Sequence, residues 1–165
     1  MQTVLTVFGR IVIMLHSYNK IYVHLIWATR NREKMLTKDI RPLVNRHIAQ
    51  YSKDNGIVLE ALNVQMEHVH ALINLATNQK VEDIAKLLKG ESSHWINEKN
   101  MIRPKFSWQR GFGAFSVSPS HLERVKSYIS NQDEHHRRKT FAEEFAIILQ
   151  KSGFSLKETD ESVQP

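Results

Sequence analysis

The spacing of apolar residues along the chain predicts four strands and four helices. β-Branched and aromatic runs predict strands over residues 20–29, 57–66, 68–75 and 113–118. Helical spacing predicts helices from residue 40 to the Asn55-Gly56 turn and over about residues 81–97, 121–135 and 141–150. Asp39 is the expected N-cap of the first helix, and residues 65–67 are expected to join the second and third strands as a hairpin.

This order of elements predicts the fold class. Strand, helix, strand, strand, helix, strand is typical of an α+β domain with a ferredoxin-like split βαβ antiparallel sheet. We expect helices on one face of the sheet and an open second face. An added C-terminal helix is expected to carry Tyr128.

The two ends of the chain are expected to lie outside the domain formed by residues 19–154. Residues 1–18 form an N-terminal extension whose apolar run is interrupted by Arg10 and is too short to span a bilayer. This extension lacks the basic start and cleavage site of a signal peptide, and Met14 is a second candidate start. Residues 155–165 are polar, and we expect them to be a disordered tail.

Composition narrows the classes of function. The chain has 165 residues, of which 41% are hydrophobic and 24% charged, as expected for one globular domain. The absence of cysteine excludes disulfides, thiolate catalysis and cysteine zinc sites. A net charge of +6, with histidines counted as neutral, favours a polyanionic partner.

Two histidines occupy alternate positions of the third predicted strand. Side chains alternate between faces along a strand, so Val69 and Ala71 point towards the helices, and His68 and His70 point to the opposite face. Their rings can then converge on one divalent ion. The alternative is that one histidine bonds a backbone group and the other has no role. A histidine-triad hydrolase would need a third histidine, where this chain has Leu72.

The helix predicted over residues 121–135 places a phenol and an amide one turn apart. Leu122, Val125 and Ile129 form its apolar stripe, and Tyr128 and Gln132 share another face. The simplest interpretation is an amphipathic helix with a half-buried tyrosine. A phenol can also attack phosphorus, and an amide oxygen can bind a hard cation.

Three motifs together resemble a known family. The triplet His68-Val69-His70 resembles the signature of HUH endonucleases. The stretches YISNQDEHHRRKTFAEEF (128–145) and WQRGFGAFSVS (108–118) resemble the single-tyrosine transposases of the insertion sequence 200/605 group. The resemblance covers about residues 18–153 and implies that His68, His70 and Gln132 bind Mg²⁺ or Mn²⁺. It further implies that Tyr128 is the nucleophile.

The resemblance also implies a reaction and partners. The substrate would be single-stranded DNA with hairpins near the ends of a mobile element, cleaved and rejoined through a 5′-phosphotyrosine. The enzyme would be a homodimer in the cytoplasm of a bacterium or archaeon and would have no membrane partner. Each active site would combine the histidines of one subunit with the tyrosine of the other. The alternatives are a host-adapted relative that acts on palindromes, a non-catalytic binder, and an RNA-binding module on the same fold.

DNA contacts are expected from basic and aromatic residues around these motifs. Basic side chains would bind phosphates, and exposed aromatic rings would stack on unpaired bases. The candidates are Lys86, Lys89, Arg103, Lys105, Trp108, Arg110, Phe112, Arg137 and Arg138. The competing interpretation places both aromatic rings in the core and the lysines on an ordinary solvated surface.

Overall fold

The computed structural model describes residues 6–8, 11–13 and 18–155. The strands are β1 (Thr6–Phe8), β2 (Ile11–Ile13), β3 (Tyr22–Ala28), β4 (Val58–Val64), β5 (His68–Asn74) and β6 (Gly113–Val117). The helices are α1 (Arg41–Asp54), α2 (Val81–Glu98), α3 (Leu122–Ser130), α4 (Gln132–His135) and α5 (Phe141–Lys151). Strands β1 and β2 pair with each other within the N-terminal extension, and the predicted tail beyond residue 155 lies outside the described residues.

The main sheet has four antiparallel strands in the order β4-β5-β3-β6. The chain order β3-α1-β4-β5-α2-β6 is the one predicted, so the ferredoxin-like α+β fold and the β4–β5 hairpin are confirmed. In the register of the two central strands, Ile26 lies opposite His70 and Ala28 opposite His68. The His-x-His motif therefore lies on a central strand, held by neighbours on both sides.

The main core lies between one face of this sheet and the helices α1 and α2. Alternate residues of β3 and β5 supply the sheet side, and each fully buried aliphatic or aromatic side chain contributes about 1.5–3 kcal/mol. The core contains Val23, Leu25, Trp27, Val44, Ile48, Val69, Ala71, Ile73, Ile84 and Leu88. Because Val69 and Ala71 point into this core, His68 and His70 point to the second face, as predicted.

The second face of the sheet is covered, although an open face was expected. Helix α3 packs on β4 and β5. Its residue Ile129 is buried with Leu72 and Tyr22 in a smaller apolar cluster. This packing follows from the apolar stripe of the tyrosine helix, which needs a partner surface. The histidine motif is consequently enclosed between the sheet and the C-terminal helices.

The helix predicted over residues 121–135 is divided in the structure. A 3₁₀ turn at Pro119–His121 leads into α3, which ends at Ser130, and α4 begins at Gln132. Asn131 between them has φ −97° and ψ 22°, outside the helical range. The break redirects the chain so that Gln132 becomes fully buried instead of continuing the surface of α3.

The helices α1 and α5 begin in different ways. The prediction that Asp39 caps α1 is wrong, because α1 begins at Arg41 after Ile40 without a side-chain cap. Pro42 lies in its first turn, where a missing N–H costs nothing. Helix α5 starts with a capping box, in which Thr140 accepts from the Glu143 N–H and the Glu143 carboxylate accepts from the Thr140 N–H.

Within the described ranges, no helix has both the length and the apolar character needed to cross a membrane.

Candidate active site

His68 and His70 form the floor of the candidate site. Both are fully buried, and their ring centroids are 4.9 Å apart in an edge-to-face arrangement. Their position on alternate residues of β5 brings both rings to the same side, so the predicted convergence of the two imidazoles is present in the structure. The pairing of β5 with strands on both sides fixes this spacing.

A third histidine on the neighbouring strand fixes the orientation of His70. The Nε2 of His24 lies 2.9 Å from the Nδ1 of His70, and both side chains are buried. This contact occupies the Nδ1 of His70 and leaves its Nε2 facing the site. A hydrogen-bond acceptor on the far nitrogen is how proteins orient a metal-binding histidine, and His24 can serve as that acceptor. The sequence pattern does not single out His24, which lies within an otherwise apolar strand.

All three buried histidines are neutral at neutral pH. Burial, and then the neighbouring His70, lowers the pKa of His24 to about 3. Burial, and then the imidazoles of His136 and His135, lowers the pKa of His70 to about 3. Burial also lowers the pKa of His68. Neutral imidazoles carry a free lone pair, as metal binding requires.

Two residues from the C-terminal segment complete a four-donor cluster with His68 and His70. The Nε2 of His136, just after α4, is 3.1 Å from the Nε2 of His68 and 3.3 Å from a carboxylate oxygen of Glu144 on α5. Glu144 also lies 3.6 Å from the Nε2 of His70 and 3.9 Å from that of His68. One ligand atom of each residue lies within 4.8 Å of the others.

The chemistry of this cluster fits a divalent cation. Glu144 is only 7% exposed, and burial raises the pKa of its carboxyl to about 7. Among the described residues, no hydrogen-bond partner reaches Glu144 Oε2, His70 Nε2 or Gln132 Oε1, although all three atoms are buried. Buried polar atoms normally have partners, and a bound cation would satisfy these.

Tyr128 and Gln132 meet the same carboxylate. The half-buried ring of Tyr128 lies 5.9 Å from that of His70, and its hydroxyl donates a hydrogen bond to Glu144 Oε1. The amide nitrogen of Gln132 donates to the same oxygen at 2.9 Å. One chain thus brings the predicted tyrosine, glutamine and both histidines together around Glu144.

Helix α5 is anchored on the histidine motif by an aromatic stack. The ring of Phe141 lies on that of His68, with centroids 4.0 Å apart and planes 10° from parallel. Phe141 and Glu144 share one side of α5, so the stack positions the carboxylate. His136 and Glu144 were not among the site residues predicted from the sequence. Both belong to doublets, His135-His136 and Glu143-Glu144, and the sequence does not show which member faces inwards.

Two of the residues expected to contact DNA make internal contacts. The ammonium of Lys89 donates to the carbonyl oxygens of Gln109 and Gly111, and burial lowers its pKa. The indole N–H of Trp108 donates to Ser92 at 2.9 Å, and its ring packs edge-on against Trp27. These contacts fasten the segment before β6 to α2. Trp108, whose position the sequence left open, is partly buried and packs against the main core.

The other candidates for DNA contact lie on the surface. Phe112 is 39% exposed, and Arg137 pairs with Glu134 at 3.0 Å. The remaining exposed candidates are Lys86, Arg103, Lys105, Arg110 and Arg138.

Basic depressions adjoin the four-donor cluster, and two of them lie beside His136 and Tyr128. A groove of about 1060 Å³ runs beside His136 and is lined by Lys38, Arg41, Arg46 and Arg137. A second cavity of about 350 Å³ lies next to Tyr128, and its basic residues are Arg124, Lys139 and Lys151. Arg137 was among the sequence-based candidates, whereas Lys38, Arg41 and Arg46 were not.

Comparisons with known proteins agree with this geometry. The family model described as "Transposase IS200 like" matches residues 17–132. The chain is 23% identical over 116 residues to the ISDra2 transposase TnpA of Deinococcus radiodurans, covering 67% of this chain and 83% of that protein.

Two solved structures share the fold. A candidate transposase from Deinococcus radiodurans R1 matches with a TM-score of 0.58 and 26% identity, over 77% of this chain and 98% of that one. A REP-associated tyrosine transposase bound to a REP hairpin matches with a TM-score of 0.56 and 19% identity, over 73% of this chain and 72% of that one.

Proposed function

We propose a DNA strand-transfer function for this chain, which belongs to the IS200-like transposase family. The enzyme cleaves and rejoins single-stranded DNA at hairpin-bearing ends of a mobile element, in the cytoplasm of a bacterium or archaeon. One observation carries the proposal: the Tyr128 hydroxyl lies at a cluster of two neutral, buried imidazoles and a buried carboxylate. A tyrosine in an ordinary amphipathic helix has no need of such surroundings.

Tyr128 is the nucleophile in this proposal. Its oxygen attacks the scissile phosphorus as the bond to the 3′ oxygen breaks, which yields a 5′-phosphotyrosine and a free 3′-hydroxyl. The ordinary pKa of a tyrosine is about 10, so the proton needs an acceptor. Glu144 Oε1 already accepts the hydrogen bond of this hydroxyl and is placed to receive the proton, and the departing 3′ oxygen takes up a proton in turn. Attack of another 3′-hydroxyl on the phosphotyrosine reverses the step and joins new ends.

The histidine pair and Gln132 would hold the Mg²⁺ or Mn²⁺ that the family's chemistry requires. When bound, such an ion withdraws charge from a phosphate oxygen and makes phosphorus more electrophilic. His68 and His70 supply neutral nitrogens on a rigid strand, and Gln132 supplies a buried oxygen without a partner among the described residues. His24 holds the ring of His70 in place through its Nδ1.

DNA reaches this site along basic surfaces in our proposal. The groove beside His136 and the cavity beside Tyr128 both carry arginine and lysine side chains, which suit phosphates. Phe112 is exposed enough to stack on an unpaired base. A homodimer that exchanges its tyrosine helices remains part of the proposal, although a single chain already places Tyr128 beside its own histidines.

The test uses labelled single-stranded DNA that carries the palindromes flanking the gene. With Mn²⁺, the wild-type protein should form an adduct that survives denaturation. Tyr128→Phe should abolish the adduct and retain hairpin binding, since only the hydroxyl is lost. His68→Ala and His70→Ala should also prevent cleavage.

The matched control is Tyr51→Phe, which removes a hydroxyl from α1 on the other side of the sheet. This variant should give the full adduct. An adduct of undiminished yield in Tyr128→Phe would refute Tyr128 as the nucleophile. Hairpin binding without any adduct in the wild type would identify a non-catalytic palindrome binder instead.

A further inference from the structure

We propose that His136 and Glu144 are metal ligands in addition to those the family resemblance assigns, and that the resulting site prefers Mn²⁺ to Mg²⁺. The inference deepens the proposed function and rests on it for the role of the ion. Neither residue lies within the part of the chain that the family model matches, which ends at residue 132.

The separations between the donor atoms suit a shared ion. Two ligands that bind one ion at about 2.0–2.2 Å are about 3–4.4 Å apart. The contacts of His136 with His68 and Glu144, at 3.1 and 3.3 Å, fall in this range. The contacts of Glu144 with His70 and His68, at 3.6 and 3.9 Å, do so as well.

The ring of His136 is oriented for ligation. Its Nδ1 lies 3.2 Å from the carbonyl oxygen of Lys139, which can only accept a hydrogen bond. The proton is therefore on Nδ1, and the lone pair of Nε2 points at the cluster. A backbone carbonyl on the far nitrogen is a common way to fix a metal-binding imidazole.

The two oxygens of Glu144 have separate surroundings. Oε1 accepts hydrogen bonds from Tyr128 and Gln132, whereas Oε2 has no hydrogen-bond partner among the described residues. Oε2 is buried and faces His136 and His68. One oxygen is thus held by the nucleophile and the amide, and the other is free to bind an ion.

Charge and donor type support both parts of the proposal. Imidazoles and an amide are neutral, so Glu144 supplies the negative charge that a divalent ion favours. Three imidazole nitrogens suit Mn²⁺ and later transition ions better than Mg²⁺, which prefers oxygen ligands and retains water. A site with three histidine ligands instead of two therefore shifts the ion preference from Mg²⁺ towards Mn²⁺.

Calorimetry without DNA tests the proposal on the full chain. Mn²⁺ and Mg²⁺ are titrated into the wild type, and Mn²⁺ into Glu144→Gln and His136→Asn. The asparagine retains an N–H for the Lys139 carbonyl and removes only the inward nitrogen. We expect Mn²⁺ to bind at least about tenfold more tightly than Mg²⁺, and each variant to weaken Mn²⁺ binding by at least about fivefold.

The neighbouring members of the two doublets provide matched controls. Glu143→Gln retains the capping box, which accepts glutamine, and His135→Asn changes an exposed ring outside the cluster. Both should bind Mn²⁺ like the wild type. Circular dichroism verifies folding. Thermal melts give a second readout, because Mn²⁺ should raise the melting temperature of the wild type and have a smaller effect on the two ligand variants.

Three outcomes would overturn the inference: Mn²⁺ binding in either ligand variant reduced by less than about fivefold, Mg²⁺ binding as tight as Mn²⁺, or no Mn²⁺ binding by the wild type. Unchanged affinity with altered stability would show that His136 and Glu144 only fasten α5 to the sheet. Because this experiment contains no DNA, its result is independent of whether the phosphotyrosine adduct forms.

Discussion

The contact between His24 and His70 predicts a measurable loss of metal affinity when His24 is replaced. His24→Leu keeps a side chain of similar size in the buried strand but removes the partner of His70 Nδ1, 2.9 Å away. For His70 to bind an ion through Nε2, its proton must be on Nδ1 and be donated to His24. The substitution leaves this buried N–H without an acceptor and the ring free to turn.

The magnitude follows from two effects. A buried donor that loses its acceptor costs about 1–3 kcal/mol of folding stability. Loss of the group that orients a metal-binding histidine typically lowers metal affinity about 10–100-fold. Because His24 is buried and is not one of the four donors, the affinity effect acts through His70.

Titration calorimetry with Mn²⁺ measures the affinity, and urea denaturation measures the stability. His24→Gln should recover much of the loss, since its amide oxygen can accept from His70 Nδ1. His94→Leu, on the exposed side of α2, should bind Mn²⁺ normally. If His24→Leu binds Mn²⁺ as tightly as the wild type, the orientation of His70 does not depend on this contact and the reasoning fails.

Three further predictions concern the site, the assembly and the fold. Gln132→Ala should reduce cleavage less than His70→Ala does, because water can replace a neutral oxygen; equal losses in single-turnover rates would contradict this. A mixed dimer of differently tagged Tyr128→Phe and His70→Ala chains tests whether the sites are exchanged between subunits. Exchanged sites should restore about half of the activity, with the adduct only on the His70→Ala chain. An inactive mixed dimer would show that each site forms within one chain. Asn97→Ala removes an amide that bonds both the N–H and the carbonyl of Phe106, at 2.8 and 2.9 Å, and should lower the free energy of unfolding by about 2–4 kcal/mol in urea titrations. A change below about 0.5 kcal/mol would show that the Phe106 segment does not depend on this amide.

The sheet was predictable because its pattern is local. Alternation along β5 determined which face His68 and His70 occupy, and the order of strands and helices determined the topology. The predicted cap at Asp39 failed because a turn from Thr37 supplies the carbonyl oxygen to which the Ile40 and Arg41 N–H groups bond. A side-chain cap is only one of several ways to start a helix.

The full donor set of the site was not predictable from local patterns. His24 reaches His70 across two paired strands, and Glu144 reaches it from a helix 74 residues later in sequence. The break at Asn131 also lies within a continuous helical pattern, and only the packing of α3 on the sheet reveals it. Such contacts depend on tertiary structure, which residue spacing does not encode.

The boundary between the matched family region and the segment that follows has a consequence for comparing relatives. The match ends at residue 132, four residues before His136 and before the whole of α5. Two proteins can therefore share the sheet, the histidine pair and the tyrosine equally well and still differ in the groups that close the site. Classification by the matched region groups such proteins together, whether or not they carry a counterpart of Glu144. If Glu144 binds the ion as we propose, α5 is the element through which a change outside the matched region would alter the choice of metal.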